Sequence, residues 1–191
     1  MKKRLIALIA VLAMSMAIFA ACGGSGAGEE NGKAEGTDGG SEKKTEKIAE
    51  FTTVDLNGNE VTQAIFADVD ITMINFWGTY CAPCIKELPD LQKISGSYDG
   101  RFQMIGVPID VNFSDKNSAE YKNALKYLEQ AGADYMNIEA AGGIVEYMSS
   151  MQYVPTSIFV DSEGNLIGEP VVGALTDEYK KRIEDYLNGK S

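Results

Sequence analysis

The feature that most constrains this chain is a pair of cysteines, Cys81 and Cys84, directly after a largely apolar stretch, Ile71 to Trp77. The apolar stretch predicts a buried strand, and the residues after Cys84 predict a helix. The first sulfur would therefore lie at a helix N-terminus, where unpaired N–H groups and the helix dipole favour a thiolate. A thiolate with a second thiol in reach can attack a disulfide and then be released, so the pattern predicts redox chemistry on thiols.

Two other uses of the pair fit the sequence less well. Structural zinc and iron–sulfur sites need about four Cys or His ligands, whereas the chain has no histidine and its only other cysteine is Cys22. A purely structural disulfide would contribute only about 2 kcal/mol, because it closes so short a loop. The sequence therefore predicts neither a metal nor a cofactor.

The first residues predict a targeting segment, with a signal peptide at residues 1–21. A basic Lys2-Lys3-Arg4 precedes the apolar run from Leu5 to Ala20, which is short for a membrane span. The run ends at Phe19-Ala20-Ala21-Cys22, which resembles a bacterial lipobox and implies that Cys22 is lipidated; the alternative is a plain signal cleaved after Ala20 or Ala21. Lipidation would leave the remaining two of three cysteines as a matched pair.

Composition divides the rest of the chain. Residues 22–47 are rich in Gly, Glu, Lys, Ser and Asp and predict a flexible tether, whereas residues 48–191 have the length of one domain with its own core. The formal net charge of −11 argues against nucleic acid and against adhesion to anionic headgroups. A lipid anchor in the bilayer would then hold the protein at the extracytoplasmic face of the cell membrane.

Periodicity predicts an α/β fold with one mixed sheet. The expected elements, in chain order, are an N-terminal hairpin from Phe51 to Val54 with its turn at Asn57–Asn59, a strand at Ile71–Trp77, a helix at Ala82–Tyr98 kinked by Pro89, a strand at Phe102–Ile109, a helix at Ser118–Ala131 with Tyr121, Leu125 and Leu128 inward, a short helix at Gly143–Met151, strands at Ser157–Val160 and Leu166–Ile167 around a turn, and a last helix capped by Thr176.

The segment from Asn75 to Pro89 resembles the active-site segment of TlpA/ResA-type thiol–disulfide oxidoreductases, which are membrane-tethered thioredoxin-like proteins. Val154-Pro155-Thr156 lies where that superfamily has its cis-proline loop, and Gly164 and Gly173 match two further glycines. The resemblance covers most of the chain from Phe51 to Leu187. It implies a thioredoxin-like fold, with a central mixed β-sheet flanked by helices.

The resemblance also implies roles for single residues. Cys81 matches the exposed nucleophile and Cys84 the buried resolving thiol. Pro155 matches the cis proline that faces the disulfide, although without the cysteines it would be interpreted as an ordinary turn proline opening an edge strand. The residue before it, Val154, would offer its backbone to a substrate strand.

Further substrate contacts are expected at three positions around the pair: Trp77, Tyr80 and Thr156. Tyr80 departs from relatives that often have Trp beside the nucleophile, which would alter the choice of partner but not the reaction.

An acidic residue, Glu87, follows Cys84 by three positions and matches the acidic residue of the ResA branch. Thioredoxin has a buried Asp on its central strand, where this chain has Asn75 and so lacks that proton acceptor. A carboxylate near the pair would raise the thiol pKa values and accept the proton of Cys84. The alternative is that Glu87 is an ordinary solvated helix residue.

The favoured function is a monomeric, membrane-tethered reductase of disulfides in exported proteins, supplied with electrons by a membrane thiol donor. Ala82-Pro83 offers no cation to stabilise a thiolate and Glu87 opposes one, which favours reduction over a disulfide-forming oxidase. A peroxidase would need a Thr where Gly78 stands and an Arg near Cys81. A non-enzymatic binding lipoprotein with a static disulfide is the alternative from a different class.

Overall fold

The computed structural model describes residues 46–190. The predicted signal peptide at 1–21, the lipidation of Cys22 and all but the last two residues of the predicted tether lie outside the described residues. Within residues 46–190, none of the helices is long and apolar enough to cross a membrane. The same range contains no group of three or more His, Cys, Asp or Glu side chains that could hold a metal ion.

Seven strands and four α-helices make up the described part of the chain. In chain order they are β1 Thr52–Val54, β2 Glu60–Thr62, β3 Ile71–Trp77, α1 Ala82–Ser95, β4 Phe102–Pro108, α2 Ala119–Ala131, β5 Met136–Asn137, α3 Gly143–Met148, β6 Thr156–Asp161, β7 Val171–Val172 and α4 Thr176–Leu187, with a 3₁₀ segment at Gln63–Asp68 after β2.

The five-stranded sheet has the order β5-β4-β3-β6-β7, and β1 and β2 form a separate antiparallel hairpin. β3 lies at the centre, parallel to β4 and antiparallel to β6. The register places Trp77 beside Pro108 and Phe76 beside Thr156. The loops that follow β3 and β4 and the loop that precedes β6 therefore meet at one edge of the sheet, which is where the cysteine pair begins.

The two faces of β3 belong to two different cores. Met73 and Trp77 face a core formed with α1, α2 and α4, whereas Ile74 and Phe76 face one that includes the hairpin and α3. Every residue of β3 is buried because both faces are covered. Strand alternation then points Asn75, between Ile74 and Phe76, toward the face that carries α1 and α4.

The α/β class, the central mixed sheet and the N-terminal hairpin are confirmed. Several local predictions are wrong. The predicted strand at Leu166–Ile167 forms only an isolated bridge, from Leu166 to Val160, and α3 ends at Met148 instead of Met151. Leu125 is 42% exposed, because α2 is covered along a line through Tyr121 and Leu128 instead. Thr176 is the first residue of α4 and makes no side-chain cap, and α1 ends at Ser95, before the predicted Tyr98. The two-residue strands β5 and β7 were not predicted, because two residues carry no periodicity.

Two residues assigned to the tether take part in the domain. Lys47 forms a β-bridge with Asn165, and the Glu46 carbonyl accepts from the Leu166 N–H at 2.8 Å. The contacts of the domain therefore begin at least two residues before the predicted boundary at Ile48.

Candidate active site

Cys81 and Cys84 form a disulfide at the N-terminus of α1, with an S–S distance of 2.07 Å. Cys81 is the N-cap residue, and its sulfur accepts the Cys84 N–H at 3.3 Å. Cys84 is fully buried, whereas Cys81 retains 7% exposure. Of the two sulfurs, Cys81 is thus the one that a partner can reach, and it sits where helix N–H groups and the helix dipole stabilise a thiolate.

A tight turn between β3 and α1 presents the pair at the surface. The Cys81 N–H donates to the Gly78 carbonyl at 3.0 Å, and Asp110 accepts from the Thr79 N–H at 3.0 Å and from the Thr79 hydroxyl at 2.6 Å. The Tyr80 ring lies against Gly78, where an added Cβ would stand 2.8 Å from it. The turn therefore needs glycine at position 78 to hold Tyr80 in this place.

The loop before β6 covers the nucleophile from the other side. The Val154–Pro155 peptide bond is cis, as the resemblance implies, and the Val154 carbonyl oxygen lies 3.6 Å from the Cys81 sulfur. The loop is fixed by two hydrogen bonds, from the Thr156 hydroxyl to the Tyr153 carbonyl at 2.8 Å and from the Gly173 N–H to the Pro155 carbonyl at 2.8 Å. Val154 is half-buried, so its backbone lies at the edge of the site.

Two residues expected to contact substrate are placed differently. Trp77 is fully buried, and its indole N–H donates to the Asn137 side chain at 3.0 Å. The Asn137 side chain occupies the space beside Gly106 that a Cβ would fill. Thr156 is also buried and braces the loop through its hydroxyl. The prediction of a substrate contact is therefore corrected for both residues: strand alternation aims Trp77 into the core, and the Thr156 hydroxyl is used within the loop.

Glu87 is buried, with 4% exposure, which excludes the solvated alternative. The Asn75 amide donates to one carboxylate oxygen at 3.1 Å, and the Tyr179 hydroxyl lies 3.3 Å from the other. Asn75 donates a second bond to the Ser157 hydroxyl oxygen at 3.0 Å. The position of the buried Asp of thioredoxin is thus filled by an amide that holds a carboxylate reaching in from α1.

Burial raises the pKa of Glu87 to about 7, although the hydrogen bonds from Asn75 and Tyr179 act in the opposite direction. Glu87 follows Cys84 by three residues on α1, which places the two side chains on the same face of the helix. A carboxylate that titrates near neutrality, one turn from a buried thiol, is suited to exchange a proton with it.

Two exposed tyrosines flank the pair. Tyr80 and Tyr153 are 69% and 67% exposed, and a cavity of about 330 Å³ between them is also lined by Ile109, Met148 and Met151. We call these five side chains the apolar rim. Large exposed apolar side chains around a reactive group are typical of a surface that binds another polypeptide.

Several residues of the site carried no signal in the sequence. They are Asp110, which holds the turn; Asn137, which holds Trp77; Tyr153 in the rim; and Ser157 and Tyr179 around Glu87. Each lies far along the chain from its partner, and a single sequence does not show such pairings.

Comparisons with known proteins point to thiol–disulfide chemistry. A family model described as the AhpC/TSA family matches residues 45–168. The chain is 29% identical over 137 residues to the thiol-disulfide oxidoreductase ResA of Bacillus thuringiensis subsp. konkukian, covering 72% of each chain. It is 28% identical over 116 residues to the thioredoxin-like protein YneN of Bacillus subtilis, covering 61% of this chain and 62% of that one.

Among solved structures, the fold is similar to that of a putative thiol:disulfide interchange protein DsbE from Chlorobium tepidum, with a TM-score of 0.60 and 23% identity over 76% of this chain and 98% of that chain. A thioredoxin family protein from Chlorobium tepidum TLS gives a TM-score of 0.63 at 20% identity over 77% and 99% of the two chains. These likenesses show the thioredoxin-like fold.

Proposed function

Because this chain belongs to the AhpC/TSA family and is a thioredoxin-like thiol–disulfide oxidoreductase of the ResA/TlpA type, we propose that it reduces disulfide bonds of exported proteins at the outer face of the cell membrane. The observation that carries the proposal is the Cys81–Cys84 pair at the start of α1, with a buried carboxylate, Glu87, one turn away.

The reaction is an exchange of one electron pair. In the reduced protein the Cys81 thiolate attacks one sulfur of a substrate disulfide, forms a mixed disulfide and releases the other sulfur as a thiolate, which takes a proton from water. The Cys84 thiol then gives its proton to Glu87 and attacks the Cys81 sulfur. This closes the Cys81–Cys84 disulfide and releases the substrate with both of its sulfurs reduced. A membrane thiol donor returns the pair to the dithiol state.

The electrostatics around the pair favour the reductive direction. A strong oxidant needs a very stable thiolate, and the residues between the two cysteines, Ala82 and Pro83, carry no charge. Glu87 becomes anionic above a pKa of about 7, and an anion beside the pair disfavours the thiolate. The oxidising alternative would need a local cation to reverse this balance.

A polypeptide substrate fits the surface around Cys81. The apolar rim offers two exposed aromatic rings, Tyr80 and Tyr153, and the Val154 carbonyl faces the reacting sulfur at 3.6 Å. An extended substrate segment can pair with the backbone of Val154 while the side chains beside its cysteine contact the rim.

A peroxidase site is not formed here. Gly78 stands three residues before Cys81, where a hydroxyl would be needed. In the described range, Arg101 pairs with Asp70 at the opposite end of β3, and Arg182 donates to backbone carbonyls at 2.9 Å and 3.2 Å beside α4. Neither arginine is placed to activate Cys81.

The location of the protein is part of the proposal. The apolar N-terminal run that ends at Cys22 supports export and lipidation of that cysteine. The stretch that follows, rich in Gly, Glu, Lys, Ser and Asp, would tether the domain to the bilayer with a reach of roughly 25–30 Å. We propose that the tethered domain works as a monomer.

Insulin reduction tests the proposal. Purified full-length protein with a thiol reductant should accelerate the precipitation of insulin chains, and Cys81→Ser should abolish the effect. Cys84→Ser should accumulate a mixed disulfide, because Cys81 can attack but the complex is not resolved. Cys22→Ser, a matched cysteine substitution outside the pair, should keep the activity in solution.

Two results would contradict the proposal. A disulfide that ordinary reductants leave intact would indicate the non-enzymatic binding lipoprotein. Faster oxidation of a reduced, unfolded protein than reduction of insulin would indicate the disulfide-forming oxidase.

A further inference from the structure

A continuous chain of contacts links Glu87 to the loop that carries Pro155. One Glu87 carboxylate oxygen lies 3.3 Å from the Tyr179 hydroxyl, and that hydroxyl lies 2.7 Å from the Gly173 carbonyl. The Gly173 N–H in turn donates to the Pro155 carbonyl at 2.8 Å. Tyr179 is fully buried on α4, so its hydroxyl cannot turn to solvent instead.

When Glu87 is ionised, the single proton of the Tyr179 hydroxyl has two acceptors, the carboxylate and the Gly173 carbonyl. The Ser157 hydroxyl and the Leu175 N–H also contact the Tyr179 oxygen, as donors. A tyrosine hydroxyl donates a single hydrogen bond, so it serves either the carboxylate or the Gly173 carbonyl. The carboxylate is the stronger acceptor because its bond is charge-assisted. When Glu87 is protonated, its own O–H can donate to the Tyr179 oxygen, and the Tyr179 proton is then free for Gly173.

We propose that Tyr179 is a positioning residue whose hydroxyl couples the protonation state of Glu87 to the Pro155 loop, so that substrate binds more tightly when Glu87 is protonated. The inference rests on the proposed function, because that loop contacts the substrate. With Glu87 protonated, Tyr179 ties Gly173, and through it Pro155, to α4. With Glu87 ionised, the Gly173 carbonyl keeps only the bond from the nearby Leu175 N–H, at 3.0 Å within the same turn.

Glu87 is the member of this series of contacts that titrates near neutrality, as the groups that face it show. Tyr179 has a pKa raised to about 12 by burial and by the charge of Glu87. Tyr135, before β5, has its pKa raised by the same two causes. Asn75 of β3 and Ser157 of β6 carry no charge, and the cysteine pair at the start of α1 is common to every variant proposed below.

Two substitutions should have opposite effects on the hydrogen bond between Tyr179 and Gly173. Glu87→Gln keeps an uncharged group that donates to Tyr179, since its oxygen stays with the Asn75 amide. In this variant the Tyr179 hydroxyl should donate to the Gly173 carbonyl at every pH. Tyr179→Phe keeps the ring but removes the hydroxyl, so the Gly173 carbonyl should lack the hydrogen bond from residue 179 at every pH.

The assay is single-turnover reduction of insulin by pre-reduced full-length protein between pH 5.5 and 8.5. For the wild type, the half-saturating insulin concentration should rise by about threefold to tenfold as pH increases through 7, the effect of one hydrogen bond. Glu87→Gln should stay at the low value and Tyr179→Phe at the high value throughout. The maximal rate, reported separately, distinguishes this effect from slower thiol chemistry.

Tyr135→Phe is the matched control. Tyr135 is buried and feels the charge of Glu87, but its hydroxyl has no hydrogen-bond partner among the described residues. Its variant should follow the wild-type curve. Equal half-saturation curves for wild type and Tyr179→Phe, a flat wild-type curve, or the same change in Tyr135→Phe would each overturn the inference. Loss of insulin reduction in the wild type would instead refute the proposed function.

Discussion

The stability of Glu87→Gln relative to the wild type should be greater at alkaline pH than at acidic pH. Gln keeps the shape of Glu87 and its contacts with Asn75 and Tyr179, but it removes the cost of ionising a buried carboxyl group. Burial raises the pKa of Glu87 from 4.5 to about 7. The folded wild type therefore holds a proton over a pH range in which the unfolded chain has lost it.

The sign and size follow from this difference in pKa. Because the folded protein binds more protons than the unfolded chain between pH 4.5 and pH 7, the wild type loses stability as pH rises through this window. At 1.36 kcal/mol per pKa unit, the total loss is about 3 kcal/mol, most of which falls between pH 5 and pH 8. The Gln variant has no such group and should not show this loss.

Urea unfolding of the oxidised proteins at pH 5 and pH 8 measures the effect. The single tryptophan, Trp77, is fully buried and reports on unfolding by fluorescence. The free-energy difference between Glu87→Gln and wild type should grow by about 2–3 kcal/mol from pH 5 to pH 8. Glu129→Gln, an exposed glutamate on α2, is the control and should show little change. Parallel pH dependences for Glu87→Gln and wild type would refute the reasoning, since Glu87 would then ionise as it does in the unfolded chain.

Three further predictions test other parts of the molecule. Cys22→Ala should release the protein from membranes or leave it misprocessed, as judged by fractionation; unchanged membrane association would contradict the lipid anchor. Glu87→Gln should lower the Cys81 pKa in a thiolate absorbance titration, with Glu87→Asp intermediate, because the nearby anion is lost; identical curves would show that the carboxylate does not act on the pair. Asn137→Ala should cost about 1–3 kcal/mol of stability in urea, because it leaves the buried Trp77 N–H unpaired; a neutral effect would mean that this hydrogen bond contributes nothing.

The sequence predicted the parts of the site that depend on near neighbours. Ile71–Trp77 has the predicted bounds, since an apolar run between polar segments fixes a buried strand by itself. The predicted junction between strand and helix put Cys81 at the N-cap, because the end of the strand and the start of the helix lie within a few residues of each other. The cis Val154–Pro155 bond came from the resemblance, and not from any local rule.

What covers each side chain was decided by the tertiary structure. Leu125 was placed inward by its helical period, but the period fixes only the spacing of a face and not the width of the surface that packs on it. Trp77 was expected to contact the substrate but is buried under other elements. For Glu87 the sequence left two alternatives, a position near the thiols and a position in solvent, and its burial excludes the second.

The sequence by itself therefore determined the disulfide motif and the central strand, because these follow from residues a few positions apart, while the fold was implied by the resemblance to a known family. Only the tertiary structure placed Asn75 and Tyr179 on either side of Glu87, across separations of 12 and 92 residues. The pKa of a carboxyl group depends on its burial and on the donors around it. Those donors come from different strands and helices, so the property that suits Glu87 to proton transfer exists only in the folded chain.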